Sequence, residues 1–289
     1  MPNLKDIKRR IKSVKNTQQI TKAMKLVAAS KLRRAQKAIQ DARPYALKLR
    51  DVLNHISARC DSDLHALLNQ RDGENILVMV VTADKGLCGG FNGNIVRRAA
   101  KVIAENQGKN LSLVLAGKKG KDYFKHRTTR IAHEFIDWTR DFNYAKAQEI
   151  GELLAGMFID KKVDRIFMVY NEFKSVMQQE VVVEQLLPVV PEPLEAVKET
   201  DHVPEYIYEP DEESILDALL QRYMTVQVYR ALLESSASEQ GARMTAMDNA
   251  SRNAGDMING LSLTYNKARQ AYITKELIEI VNGAEALKS

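Results

Sequence analysis

The sequence predicts an α/β protein: a long antiparallel two-helix coiled coil formed by the N- and C-terminal helices, with a mainly parallel α/β domain inserted between them. Three observations lead there. Apolar and small residues recur at alternating spacings of three and four at both ends of the chain, the mark of paired helices. The middle alternates short apolar runs with helix-like stretches, the mark of a parallel sheet covered by helices. The two end patterns are separated by the whole middle, so they can pair only by running in opposite directions.

The N-terminal helix is expected over residues 1–59. Its seam reads Leu4, Ile7, Ile11, Val14, Gln18, Thr21, Lys25, Ala28, Leu32 and continues to Ile56 without a break in spacing. At 1.5 Å per residue such a helix is about 80 Å long. Pro44 lies inside it and should remove one hydrogen bond and bend the helix locally. The seam turns polar at Gln18, Thr21 and Lys25, while Ile20, Met24 and Val27 form a second stripe, about 120° around the helix. The apolar face is split at this waist, so it is expected to meet two neighbours: the partner helix and something outside the chain. Polar seam residues lower stability but fix register.

The α/β domain is expected over 75–190 and is Rossmann-like in its strand–helix alternation. "NILVMVVT" (75–82), "LSLVLAG" (111–117), "VDRIFMVYN" (163–171) and "QEVVVEQLLPV" (179–189) read as strands; "NGNIVRRAAKVIAENQ" (92–107) and "YAKAQEIGELLAGMFID" (144–160) read as helices. Residues 191–210 are proline-rich and charged, a linker or foot segment. The last helix is expected over 211–289, opened by Pro210 and the acids that follow it. It is longer than the first. Antiparallel pairing therefore leaves roughly its final 20 residues, about 30 Å, without a partner helix. That end carries Ile273, Leu277, Ile280, Ala284 and Leu287 at helical spacing. A lone helix with an apolar stripe is unstable in water, so something outside the chain should surround it.

Charge and chemistry narrow the function. Residues 1–50 hold 15 Lys+Arg against Asp6 and Asp41, whereas the chain as a whole is only +6. A basic arm on an acidic body wants an anionic partner. Nucleic acid is a poor fit, because Tyr45 is the only aromatic in the arm and nucleic acid would not explain the apolar overhang. The glycine-rich "TADKGLCGGFNGN" (82–94) sits between a strand and a helix, where phosphates are held in nucleotide-binding folds. It lacks the spacing of a phosphate loop and reads as a structural turn. The five histidines and two cysteines, Cys60 and Cys88, show no metal or redox spacing. No catalytic residue, cofactor or metal site is therefore expected.

Three segments carry a resemblance: "ITKAMKLVAASKLRRAQ", "DKGLCGGFNGN" and "ASEQGARMTAMDNASRNAGDMINGLSLTYNKARQAYITKELIEIVNGAEAL". Together they closely resemble the gamma-subunit family of rotary F-type ATP synthases. The resemblance implies a non-catalytic rotor shaft inside a hexamer of alpha and beta subunits, with epsilon and the c-ring at its foot and delta as a further candidate partner. It implies no nucleic acid and no small-molecule substrate. Without a mitochondrial presequence or the chloroplast cysteine segment, it implies a bacterial member held peripherally at the cytoplasmic face of the inner membrane. It further implies that Ile20, Met24 and Lys25 face an acidic loop of beta, with Arg243 at a matching height. Arg269, Gln270 and Thr274 would bond to beta higher up. Ile280, Val281, Ala284 and Leu287 would run in an apolar sleeve, and Tyr206 and Glu209 would face epsilon and the ring.

Overall fold

The computed structural model describes residues 4–57, 65–127, 130–139, 142–190 and 212–286, with side chains left undescribed at 54–57, 212–214 and 285–286. The elements in order are α1 (Leu4–Ser57), β1 (Asn75–Val81), α2 (Phe91–Glu105), β2 (Asn110–Ala116), α3 (Lys118–Phe124), β3 (Arg130–Phe135), α4 (Tyr144–Ile159), β4 (Arg165–Phe173), β5 (Gln179–Leu187) and α5 (Glu212–Ala286). The chain divides into two compact units, Met1–Ala28 with Met244–Ser289, and Ala29–Arg243.

The larger unit is built on a five-stranded sheet of order β3-β2-β1-β4-β5, parallel throughout except for the antiparallel edge pair β4–β5. β1 lies at its centre and is buried on both faces, which is why it reads as an unbroken apolar run. Ile76, Val78 and Val80 pack with Phe91, Ile95 and Phe124 of α2 and α3. Leu77, Met79 and Val81 pack on the other face with Ile150 and Leu154 of α4, Leu220 and Leu232 of α5, and Leu53 of α1. Each such side chain contributes about 1.5–3 kcal/mol on burial. α4 starts where Asn143 accepts a hydrogen bond from the Lys146 N–H at 2.9 Å. It then lies close along α5: a Cβ on Gly151 would touch Thr225 Cα at 3.4 Å.

Two elements go beyond the sequence reading. β3 ("RIAHEF") is an edge strand with only Phe135 buried, and α3 ("KKGKDYF") is seven residues long. Neither has an apolar run or stripe long enough to stand out.

The smaller unit contains the first half of α1 and the last part of α5. Gln18 Nε2 donates to the Ser251 carbonyl and Lys25 bonds Asp248, so higher numbers on one helix meet lower numbers on the other and the pair is antiparallel. Ile7, Ala28, Met247 and Ala254 are buried along the seam. In the larger unit α1 keeps the same spacing, with Leu32, Leu49 and Leu53 buried, and it continues through Pro44 without interruption.

Candidate functional site

The waist is built from polar seam residues. Gln18 Nε2 lies 3.2 Å from the Ser251 carbonyl oxygen, and Thr21, itself buried, donates back to the Gln18 carbonyl at 3.0 Å. The helices come close here because residue 255 is glycine: a Cβ there would lie 3.1 Å from Gln18 Nε2. One turn on, Lys25 Nζ reaches Asp248 Oδ1 at 2.6 Å, and Arg252 holds the other carboxylate oxygen at 2.9 Å. The hydrogen bond from Lys25 holds the Asp248 carboxyl below its ordinary value. Beside these pairs runs an open groove of about 510 Å³, lined by Lys22, Leu26 and the bonded residues.

The second stripe faces away from this seam. Ile20 and Val27 are 59% and 57% exposed, and Met24 is half-buried. Lys25 is not free to turn outward unless it gives up Asp248. The waist thus presents apolar side chains outward with a satisfied polar network behind them.

Arg243 belongs to the larger unit. It bonds Glu239 at 2.6 Å with both side chains nearly buried, and donates to the Gly86 carbonyl in the glycine-rich loop at 3.2 Å. Burial raises the Glu239 carboxyl above its ordinary value and Arg243 pulls it back. The acid of that loop bonds outward to other segments. Asp84 accepts from the main-chain N–H groups of Lys118, Asp137 and Thr139 and from the Thr139 hydroxyl. The Lys118 N–H opens α3, so Asp84 ties the glycine-rich loop to the start of that helix and to the turn after β3. Thr82 adds bonds to Ala116, Gly117 and Gly120, and the Trp138 indole N–H donates to its carbonyl. Cys88 is buried beside Asn92, and burial pushes its thiol up. The roles of Asp84 and Glu239 were not legible beforehand, because their partners lie far away in sequence or inside a seam.

The end of α5 is bare. The register at the waist brings the start of α1 opposite the turn Tyr265–Arg269, and every residue from Arg269 to Ala284 is exposed. Arg269 and Gln270 are therefore open to solvent, and Thr274 bonds its own helix at the Gln270 carbonyl. Tyr272, Leu277, Ile280 and Val281 are each more than half exposed. Leu287, Tyr206 and Glu209 lie outside the described residues. Among the described residues there is no cluster of three or more His, Cys, Asp or Glu that could hold a metal, and no helix is long and apolar enough to cross a membrane.

The profile of the family described as "ATP synthase" matches residues 3–287. The ATP synthase gamma chain of Chlorobaculum parvum is 47% identical over the full length of both chains, and that of Geotalea daltonii is 48% identical, also over both full lengths. A chain in the central stalk and c-ring structure of Tetrahymena thermophila mitochondrial ATP synthase superposes with a TM-score of 0.62 at 27% identity, covering 80% of this chain and 99% of that one. A Euglena gracilis mitochondrial ATP synthase chain shares the fold, with a TM-score of 0.70 at 21% identity over 98% of this chain and 94% of that one.

Proposed function

The chain belongs to the ATP synthase gamma family, and on that premise we propose how its parts work as the central stalk rotor. The observation that carries the reading is the bare end of α5: a helix with an apolar stripe that none of the described residues covers needs a sleeve. Alpha and beta subunits supply that sleeve, and Ile280, Val281, Ala284 and Leu287 turn inside it. Arg269, Gln270 and Thr274 bond to beta just below. At the waist, Ile20 and Met24 meet beta's acidic loop, with the basic surface of α1 attracting it and Lys25 held back by Asp248. Arg243, in the larger unit, is a further contact to beta.

Rotation of a proton-driven c-ring turns the shaft, and each orientation favours a different state of a given beta subunit. In energetic terms the shaft biases a bistable partner, and turning moves that bias from one site to the next. The shaft has no chemistry of its own; the nucleotide sites lie on the surrounding subunits. Tyr206 and Glu209 face epsilon and the ring, and regulation of hydrolysis and proton flow passes through that foot. The complex sits at the cytoplasmic face of a bacterial inner membrane, with this chain peripheral to it.

The test is reconstitution with alpha, beta and epsilon. ATP-driven rotation of a probe attached to this chain is expected, with no ATPase activity and no micromolar nucleotide binding in the chain alone. Full ATPase activity in the isolated chain, or a hexamer that couples without it, overturns the reading.

A further inference from the structure

In the larger unit a cavity of about 700 Å³ opens between α1, α5 and the end of β4. It exists because the α1 seam is small there: Ala42 and Ala46 stand where leucines occupy other seam positions. Pro44 lies in the same stretch and withholds one helix hydrogen bond. The volume is in the usual range for small-molecule sites, about 300–1,000 Å³.

Two buried polar atoms on its wall lack a hydrogen-bond partner among the described residues: Gln227 Oε1 and Arg230 Nε. Gln227 is only 7% exposed. It also borders a smaller hole of about 80 Å³, which is large enough for water. Buried polar atoms are nearly always bonded, and leaving one unmet is costly. Gln227 Oε1 calls for a donor and Arg230 Nε for an acceptor.

The rest of the lining sets the class of guest. Arg43, Arg50, Lys174 and Arg230 lie in the lining with Glu172 and Glu234, and Glu184 pairs with the end of the Arg230 guanidinium, leaving its Nε to face the cavity wall. Glu172 is engaged by Lys174 at 2.8 Å, and Glu234 accepts the Phe173 N–H at 2.9 Å. Tyr45, Tyr144 and Tyr229 supply ring faces, with Tyr144 and Tyr229 edge to face at 5.6 Å. An exposed arginine at the mouth (Arg43), aromatic walls, an unmet acceptor and an unmet guanidinium donor describe a small aromatic anion that carries an O–H or N–H group.

We propose that the cavity between Ala46, Gln227 and Tyr229 binds such aryl carboxylates or sulfonates. The probe is 8-anilinonaphthalene-1-sulfonate, which has both a sulfonate and an N–H. Its uncharged counterpart, N-phenyl-1-naphthylamine, serves as the control. Both are titrated by fluorescence against the full chain carrying Ile273, Leu277 and Ile280 as serine, so that the bare end of α5 does not take up dye. One sulfonate dye per chain is expected. Ala46→Phe fills the cavity and should weaken both dyes. Arg43→Glu changes only an exposed side chain at the mouth and decides the matter even if Ala46→Phe unfolds. It should weaken the sulfonate about tenfold and leave the neutral dye unchanged. A fall shared by both dyes in Arg43→Glu, or seen in neither, overturns the proposal.

Discussion

The glycine-rich loop and the end of α5 are opposites. In the loop, Asp84 and Thr82 between them take up main-chain donors from two segments, and the Trp138 indole N–H bonds the Thr82 carbonyl. The unit around it supplies its own stability. At the end of α5, apolar side chains are exposed, with none of the described residues covering them. The difference separates stability from function in space. Where the chain satisfies itself it has no site left to offer; where it leaves itself unfinished, a partner is implied.

The largest effect expected from breaking this contrast lies in the loop. Gly117 has φ +102, and a Cβ there would fall 2.1 Å from the Thr82 carbonyl oxygen. Gly117→Ala should destabilise the larger unit by about 3–4 kcal/mol, through strain and a backbone clash together. Urea unfolding monitored at Trp138 measures it; a loss under about 1 kcal/mol would mean the loop is looser than its bonds imply.

The opposite result is expected at the tip. Replacing Ile273, Leu277 and Ile280 by serine should leave the stability of the free chain within about 0.5 kcal/mol. The same change should weaken capture by alpha and beta by about a hundredfold or more, since three large apolar side chains lose their burial. Hydrogen exchange gives the companion measurement: residues 270–286 unprotected in the free chain and protected in the complex. Equal protection in both states would contradict the sleeve.

How much of this contrast was legible in the sequence follows from the range of the interactions. The seams of α1 and α5 announce themselves, because a spacing of three and four needs only neighbours in the chain. So does the bare tip, which follows from the unequal lengths of two helices. The split stripe at Ile20 and Met24 was legible for the same reason. The pairing of Lys25 with Asp248 was not: it depends on the register between segments 223 residues apart. β3 was missed because an edge strand with one buried residue has no apolar signature. Asp84 looked like one acid in a turn, since its bonds reach 34 and 53 residues along the chain.

An intermediate effect is expected at the waist, where a satisfied network stands behind an exposed stripe. Met24→Lys puts a further cation beside Lys25, on a face proposed to meet an acidic loop. Assembly should survive, because Met24 is outside the seam. A contact that must form and break on every turn would be too strong, and about 1.4 kcal/mol of extra depth slows escape about tenfold. Proton pumping per ATP hydrolysed should fall while hydrolysis continues, measured in membrane vesicles at matched assembly. An unchanged ratio would make the waist ordinary coiled coil.

The smallest effect is a slope, and it tests whether the self-sufficient unit holds Arg243 as firmly as it holds its loop. Glu239 is nearly buried, and loss of water raises its carboxyl above the ordinary 4.5, with Arg243 opposing and Asp84 reinforcing the rise. The folded chain therefore binds this proton more tightly than the unfolded chain does. Its contribution to stability is fully present below 4.5 and is lost as pH rises through the folded value. Burial raises Glu234 in the same direction, so wild-type stability should decline over that window from two sources. Glu239→Gln removes one of them and leaves the other. Urea midpoints measured as pH rises should thus fall less steeply in Glu239→Gln than in wild type. Parallel curves would mean that water reaches the Glu239–Arg243 pair, and that Arg243 is freer to leave the loop for a partner than its two bonds indicate.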